Sequence, residues 1–328
     1  MTMKVLITGI TGMVGSHLAE YILAEHPGVE VHGLVRWRSP LDNLEHVHGR
    51  VQLHLAELRD LHSLVALLEK VRPDRIFHLA AQSYVPASFG APADTLHTNV
   101  IGTVNLLDAL RLTGQRPRVH TCSSSEVYGQ VTAEEVPIRE TNAFRPASPY
   151  AVSKVGEDML ALQYFLSYGI HTVRTRMFTH TGPRRGAVFA ESAFALQIAE
   201  IEAGLRPNPV KVGNLDSVRT LADVRDTVRA YWMLLEHCPA GEVYNIGGTR
   251  TMTVGDVLDL LAGMATCPIR HEVDPALLRP SDVTLQIPDT TKFRQATGWE
   301  PRISVEQTLR DLLDYHRARL RTGREVPR

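Results

Sequence analysis

Tyr150 and Lys154 stand four residues apart in Tyr150-Ala151-Val152-Ser153-Lys154. On a helix that step puts a phenol and an ammonium on one face. A phenol with an ordinary pKa of about 10 needs a nearby cation to act as a base near neutrality, and Lys154 supplies it. Upstream lies a serine cluster, Ser123-Ser124-Ser125, followed by Glu126. A Ser124 hydroxyl aimed at the same substrate oxygen as Tyr150 would complete a site for hydride transfer at a carbinol carbon.

Such a site needs a hydride acceptor, and Thr8-Gly9-Ile10-Thr11-Gly12-Met13-Val14-Gly15 has the form of a dinucleotide turn. Gly9 permits the tight turn, Gly12 lets backbone approach a pyrophosphate, and Gly15 lets the helix pack close to the strand. Met13 and Val14 open that helix, whose N-terminus attracts negative charge. A carboxylate at the end of the second strand would bond a ribose 2′-hydroxyl and repel a 2′-phosphate. Here the chain reads Val35-Arg36-Trp37-Arg38-Ser39, without an acid. Two guanidiniums and a hydroxyl suit a phosphate, so NADP is expected rather than NAD. Glu57 is a candidate acceptor for the adenine amino group.

The elements that must position these groups alternate. Strand-like runs at 4–8, 29–35, 51–55, 75–79 and 118–123 are separated by helical periods that follow the glycine turn and span 61–70 and 93–112. A helix starting near Pro149 carries Tyr150, Lys154, Asp158 and Leu162 on one stripe, and a strand at 172–177 follows it. This rhythm predicts an α/β fold, a Rossmann-type doubly wound parallel sheet with a smaller C-terminal α/β substrate domain. Further helices fit 192–203, 224–236, 254–265 and 305–320, and the chain is expected to return to the first sheet around 243–246. The expected division is a cofactor-binding domain over 1–178, with chain returning near 215–246, and a substrate domain over most of 179–328. The site is expected in the cleft between them.

Composition narrows the function. With 328 residues, 44% of them apolar, the chain can bury a large core. Lys+Arg (35) balances Asp+Glu (36), which removes the broad basic field of a nucleic-acid-binding protein. No apolar run approaches the ~18 to 20 residues of a membrane span, and a cytoplasmic protein is expected. Three cysteines without paired spacing and scattered histidines support neither a disulfide framework nor a metal site.

TGxxGxxG, a serine at the end of the fifth strand and YxxxK together resemble the extended short-chain dehydrogenase/reductases. Within that family the chain looks like the GDP-mannose 4,6-dehydratases and the sister GDP-4-keto-6-deoxy-mannose reductases. The segments that carry the likeness are Val31-His32-Gly33-Leu34-Val35-Arg36, Ala80-Ala81-Gln82-Ser83-Tyr84-Val85, Ser124-Ser125-Glu126-Val127-Tyr128-Gly129 and Gly182-Pro183-Arg184-Arg185-Gly186. Two more, Val212-Gly213-Asn214-Leu215-Asp216-Ser217-Val218-Arg219 and Leu278-Arg279-Pro280-Ser281-Asp282-Val283, are similar to both groups. The compact later half is similar to the reductases.

The resemblance implies Ser124, Glu126, Tyr150 and Lys154 as the catalytic set, with Glu126 removing a C5 proton while C6 loses water. It adds Leu58, Ala80 and Ala81 to the residues that bind NADP. Ser83, Ser125, Thr179, Arg184, Arg185, Lys211, Asn214, Arg219 and Arg279 become candidates for the sugar, diphosphate and base of a nucleotide sugar, expected to be GDP-linked, whose phosphate oxygens the basic members would pair with. The implied reaction is an NADP-dependent 4,6-dehydration of a nucleotide-diphosphate hexose, GDP-mannose above others, by a homodimer or homotetramer. A reductase or a 4-epimerase using the same Tyr150, and a non-catalytic NADP-binding sensor or scaffold, are the alternatives. Thr179 stands where similar enzymes usually carry Asn, and Thr220 where an Asp commonly follows the arginine.

Overall fold

The computed structural model describes residues 2–278 and 283–323. Seven parallel strands form its main sheet: β1 (Lys4–Thr8), β2 (Glu30–Val35), β3 (Val51–Leu55), β4 (Arg75–His78), β5 (Arg118–Ser124), β6 (Thr172–Met177) and β7 (Val243–Ile246). Their order is β7-β6-β5-β4-β1-β2-β3. The order reverses beside β1, so ligand is expected outside the carboxyl ends there. Every residue of β4 and β6 is buried, as a strand covered on both faces requires.

Alternate residues of each strand feed opposite layers. Val5 and Ile7 of β1 join a core with α1 (Met13–Glu25) and the helix Val224–His237. Leu6 points the other way, into a core with α2 (Leu61–Val71) and α3 (Gly102–Thr113). The long helix α4 (Pro149–Tyr168) starts on Ser148, whose hydroxyl accepts from the Ala151 N–H at 3.0 Å, with Pro149 in the first turn. It stops at Gly169 in the left-handed region, φ 65°. Asp158 fixes α4 to the sheet by accepting from Arg174 at 2.6 Å and Arg176 at 2.8 Å, all three buried.

The later chain supplies α5 (Ala190–Glu202), α6 (Val224–His237), α7 (Val254–Gly263) and α8 (Val305–Arg321). Of these α5, α7 and α8 close a separate core with Val210 and Val212. The helix expected over 93–112 is interrupted. Pro92–Leu96 leads into a π-helical turn, His97–Ile101, before α3 begins, and the Thr103 hydroxyl donates to the Asn99 carbonyl at 2.6 Å. A short helix at Val85–Gly90, with Pro86 in its first turn, has no counterpart in the sequence pattern.

His78 and His120 lie inside the sheet, and burial holds both down to about 3. Folded-state values below the ordinary ~6.5 mean stability that is complete above that pH and lost as pH falls toward 3. Each adds about 1.4 kcal/mol per pH unit in that window. Denaturant unfolding from pH 7 down to 5 should therefore show falling stability, with a slope that His120→Gln reduces. A flat profile would contradict the buried neutral assignment.

Candidate active site at the carboxyl edge of the sheet

The glycine turn joins β1 to α1. Gly9 has φ +75°, and a Cβ there would lie 2.9 Å from the Ala80 backbone; at Gly15 it would lie 2.3 Å from the Gly9 carbonyl oxygen. Only glycine fits either place. At Gly12, the N-cap, the nearest atom to such a Cβ is 3.4 Å away, so this glycine keeps the helix entrance open rather than the packing tight. The N–H groups of Met13 and Val14 lie in the first turn and lack intrahelical acceptors. Ala80 donates its N–H to the Thr8 hydroxyl at 3.2 Å, which holds the Ala80-Ala81 loop against the turn.

Arg36 and Arg38 are exposed beyond β2, and neither forms an ion pair among the described residues. The Ser39 hydroxyl accepts from the Arg36 N–H at 3.0 Å and closes that loop. Glu57 accepts weakly from the Arg59 N–H at 3.4 Å. Leu58 is a core residue whose carbonyl accepts from Asn105 at 2.8 Å.

Ser124 ends β5 and caps the following turn by accepting from the Glu126 N–H at 3.2 Å. Ser124 and Lys154 are both among the groups that pull the Tyr150 hydroxyl downward. The two ends of the expected constellation are therefore neighbours. Burial raises the Tyr150 hydroxyl above its ordinary value, outweighing the pull of Lys154 and of the Ser124 side chain. The expected lowering by lysine is thus present, but desolvation exceeds it. Lys154 directs its ammonium to the Cys122 carbonyl at 2.8 Å and to Glu157 at 2.9 Å. Glu126 is half-buried next to Ser124.

The substrate candidates spread over the later loops. Ser83 is exposed after β4, and the Ser125 hydroxyl donates to Gln286. Thr179, half-buried after β6, accepts through its carbonyl from the Ala222 N–H at 3.0 Å. Arg184 is committed elsewhere: it donates to both Glu20 oxygens at 2.8 Å and to Ser16 at 3.1 Å, fastening its loop to α1. Lys211 pairs with Glu272 at 3.0 Å. Asn214 donates to Ser217 at 3.1 Å, and Arg219 to the carbonyls of Val218 and Val283. Arg279 lies outside the described residues. Arg185 differs from Arg184, for its guanidinium lies 3.5 Å over the Phe189 ring and its buried Nε has no partner among the described residues. Tyr150 is among its electrostatic neighbours.

Two residues that the sequence reading passed over help to build the site. In the π-helical turn, Asn99 donates to the Ser153 hydroxyl at 2.9 Å and accepts from the Gln82 N–H at 2.8 Å. It ties the loop after β4 to the residue preceding Lys154. Glu157 is the other, and no spacing rule marks it. Among the described residues no group of three His, Cys, Asp or Glu side chains is placed to hold a metal.

Residues 6–312 match the family model described as GDP-mannose 4,6 dehydratase. The chain belongs to that family. Its relatives include GDP-6-deoxy-D-mannose reductase of Pseudomonas aeruginosa, 35% identical over 321 residues that cover 98% of this chain and 99% of the relative. GDP-mannose 4,6-dehydratase of Yersinia enterocolitica is 33% identical, covering 94% and 92%. The solved structure of RMD from Pseudomonas aeruginosa complexed with NADPH superimposes with a TM-score of 0.85 at 34% identity, covering 97% of this chain and all of that one. The family is one of extended short-chain dehydrogenase/reductase enzymes, and the seven-stranded sheet is its fold. No helix among the described residues is long and apolar enough to cross a membrane.

Proposed function

We propose that this chain is an NADP-dependent 4,6-dehydratase of a nucleotide-diphosphate hexose, converting GDP-mannose to the 4-keto-6-deoxy sugar. The observation that carries the reading is that α4 holds Lys154 Nζ 5.9 Å from the Tyr150 ring centroid and anchors it to the Cys122 carbonyl of β5, the strand that ends at Ser124 with Glu126 two residues beyond. Tyr150 accepts the proton of the sugar 4-hydroxyl, and Ser124 fixes the shared oxygen. A 4-ketone acidifies the C5 proton; Glu126 removes it and passes a proton to the C6 hydroxyl, which departs as water and leaves a C5–C6 double bond. Arg185, half-buried and without an ion pair among the described residues, with Tyr150 among its electrostatic neighbours, is the candidate for the diphosphate.

The close-packed Gly9 and Gly15, the open Gly12 and the unpaired Arg36 and Arg38 fit a dinucleotide with a 2′-phosphate. Such a cofactor, when bound there, would supply a reversible hydride acceptor for the sugar. NADP(H) is expected to bind at least ~10-fold more tightly than NAD(H), a difference of about 1.4 kcal/mol. Arg36→Ala combined with Arg38→Ala should narrow the gap. Equal affinities in a titration of the unaltered protein would remove the 2′-phosphate assignment.

Residues 1–178, with chain from 215–246, are assigned to the cofactor domain, and most of 179–328 to the substrate domain. We further propose that the protein acts in the cytoplasm as a homodimer or homotetramer. Ile101, Val152 and Leu166 supply exposed apolar surface for such an assembly.

A second reading, the reductase, is favoured by length. The Yersinia dehydratase aligns over 350 positions, more than the 328 residues of this chain, so it carries stretches that this chain lacks. The Pseudomonas reductase aligns over 321. Incubation with GDP-mannose separates the two readings. A dehydratase removes one water, seen by mass spectrometry, without net change in NADPH absorbance; a reductase leaves GDP-mannose alone and consumes NADPH with the 4-keto-6-deoxy sugar.

A further inference from the structure

Lys154 and Glu157 are only 5% and 1% exposed, yet their charged groups lie 2.9 Å apart in a helical i, i+3 pair. One carboxylate oxygen, Oε2, takes the ammonium; the other, Oε1, is buried without a hydrogen-bond partner among the described residues. Such an arrangement is costly for stability, since an orphaned carboxylate oxygen forfeits its hydration. Asp158, the next residue, already anchors α4 to Arg174 and Arg176. Glu157 is therefore not needed to pin the helix, and among the described residues its one polar contact is the ammonium beside Tyr150.

We propose that Glu157 is a positioning residue for the Tyr150 chemistry: its buried carboxylate is the counter-charge that limits how much of the Lys154 field reaches the Tyr150 hydroxyl. The inference rests on the reading of Tyr150 as the acid/base group. Lys154 Nζ lies 5.9 Å from the Tyr150 ring centroid, with the Cys122 carbonyl at 2.8 Å as its second hold. Without the carboxylate the ammonium remains on that carbonyl, and Tyr150 faces an uncompensated cation. Other groups around the pair are fixed in charge or neutral. On α4 itself Asp158 is neutralised by the two arginines of β6. His78 of β4 and His120 of β5 are held neutral by burial, and burial raises the Cys122 thiol, which contacts the Tyr231 hydroxyl of α6 at 3.2 Å. Glu157 is itself raised by burial and lowered by Lys154, while it raises both Lys154 and Tyr150. These opposing influences give the counter-charge a definite sign: removing it makes Tyr150 more acidic.

The test is a titration of Tyr150 by tyrosinate absorbance, taken as the difference between the protein and its Tyr150→Phe variant, with and without Glu157→Gln. The expected result is a Tyr150 midpoint about one pH unit lower in the Glu157→Gln background. An unchanged or higher midpoint overturns the proposal. If Glu157→Gln does not fold, Glu157→Asp draws the charge back by one methylene and should give a smaller shift of the same sign. Turnover of Tyr150→Phe is measured separately. Its survival would overturn the acid/base reading, whereas an inactive Tyr150→Phe with an unshifted midpoint would overturn only the role of Glu157.

Discussion

Tyr150→Phe should fold, bind NADP(H) and lose at least ~100-fold in turnover, the scale of a removed general acid/base. The hydroxyl is the only group deleted, and the net contribution of one side-chain hydrogen bond to stability is about 1 kcal/mol. Phenylalanine fills the same buried space on α4. A small change in melting temperature with a large fall in kcat is thus the expected pair of results. Near-unaltered turnover would remove Tyr150 from the chemistry, and a large stability loss with normal turnover would make it a structural tyrosine. The same variant should bind cofactor with little change, because the glycine turn and the Arg36-Arg38 loop lie on other elements.

The parts of this site that depend on local pattern were legible in the sequence. β1, β3 and β6 occupy the predicted spans 4–8, 51–55 and 172–177, since β-branched runs bounded by turns need no distant partner to be recognised. The shared helix face of Tyr150 and Lys154 followed from one helical step, and the place of Ser124 at the carboxyl end of β5 from parallel topology. What failed to show was whatever depends on contacts far along the chain. Arg184 and Arg185 look alike in Gly182-Pro183-Arg184-Arg185-Gly186, but Glu20 on α1 takes the first, whereas the second stacks on Phe189. Glu157 reads as an ordinary solvated helix acid until its burial is known. The π-helical turn at His97–Ile101 leaves the apolar period nearly intact, so Asn99 could not be picked out. The balance at Tyr150 was missed for a related reason, because the lysine is visible in sequence and the desolvation is not.

Glu126→Gln keeps the size and most hydrogen bonding of the side chain but cannot accept a C5 proton. In a dehydratase this variant should block loss of water from GDP-mannose by at least ~100-fold while still permitting oxidation at C4. The signature is reduced cofactor that accumulates to no more than one equivalent per site, where the unaltered enzyme shows no net change. Rapid-mixing absorbance and mass spectrometry of the released sugar read both quantities. A reductase gives a different pattern, for it has no C5 proton to remove, and Glu126→Gln should alter sugar binding more than the rate of NADPH consumption. The two readings thus differ in which step one carboxylate serves. If the unaltered protein leaves GDP-mannose intact and oxidises NADPH with the 4-keto-6-deoxy sugar, the dehydratase reading fails. Glu126 then becomes a group that orients the substrate beside Ser124, and the serine-tyrosine pair donates a proton to the 4-oxygen instead of withdrawing one.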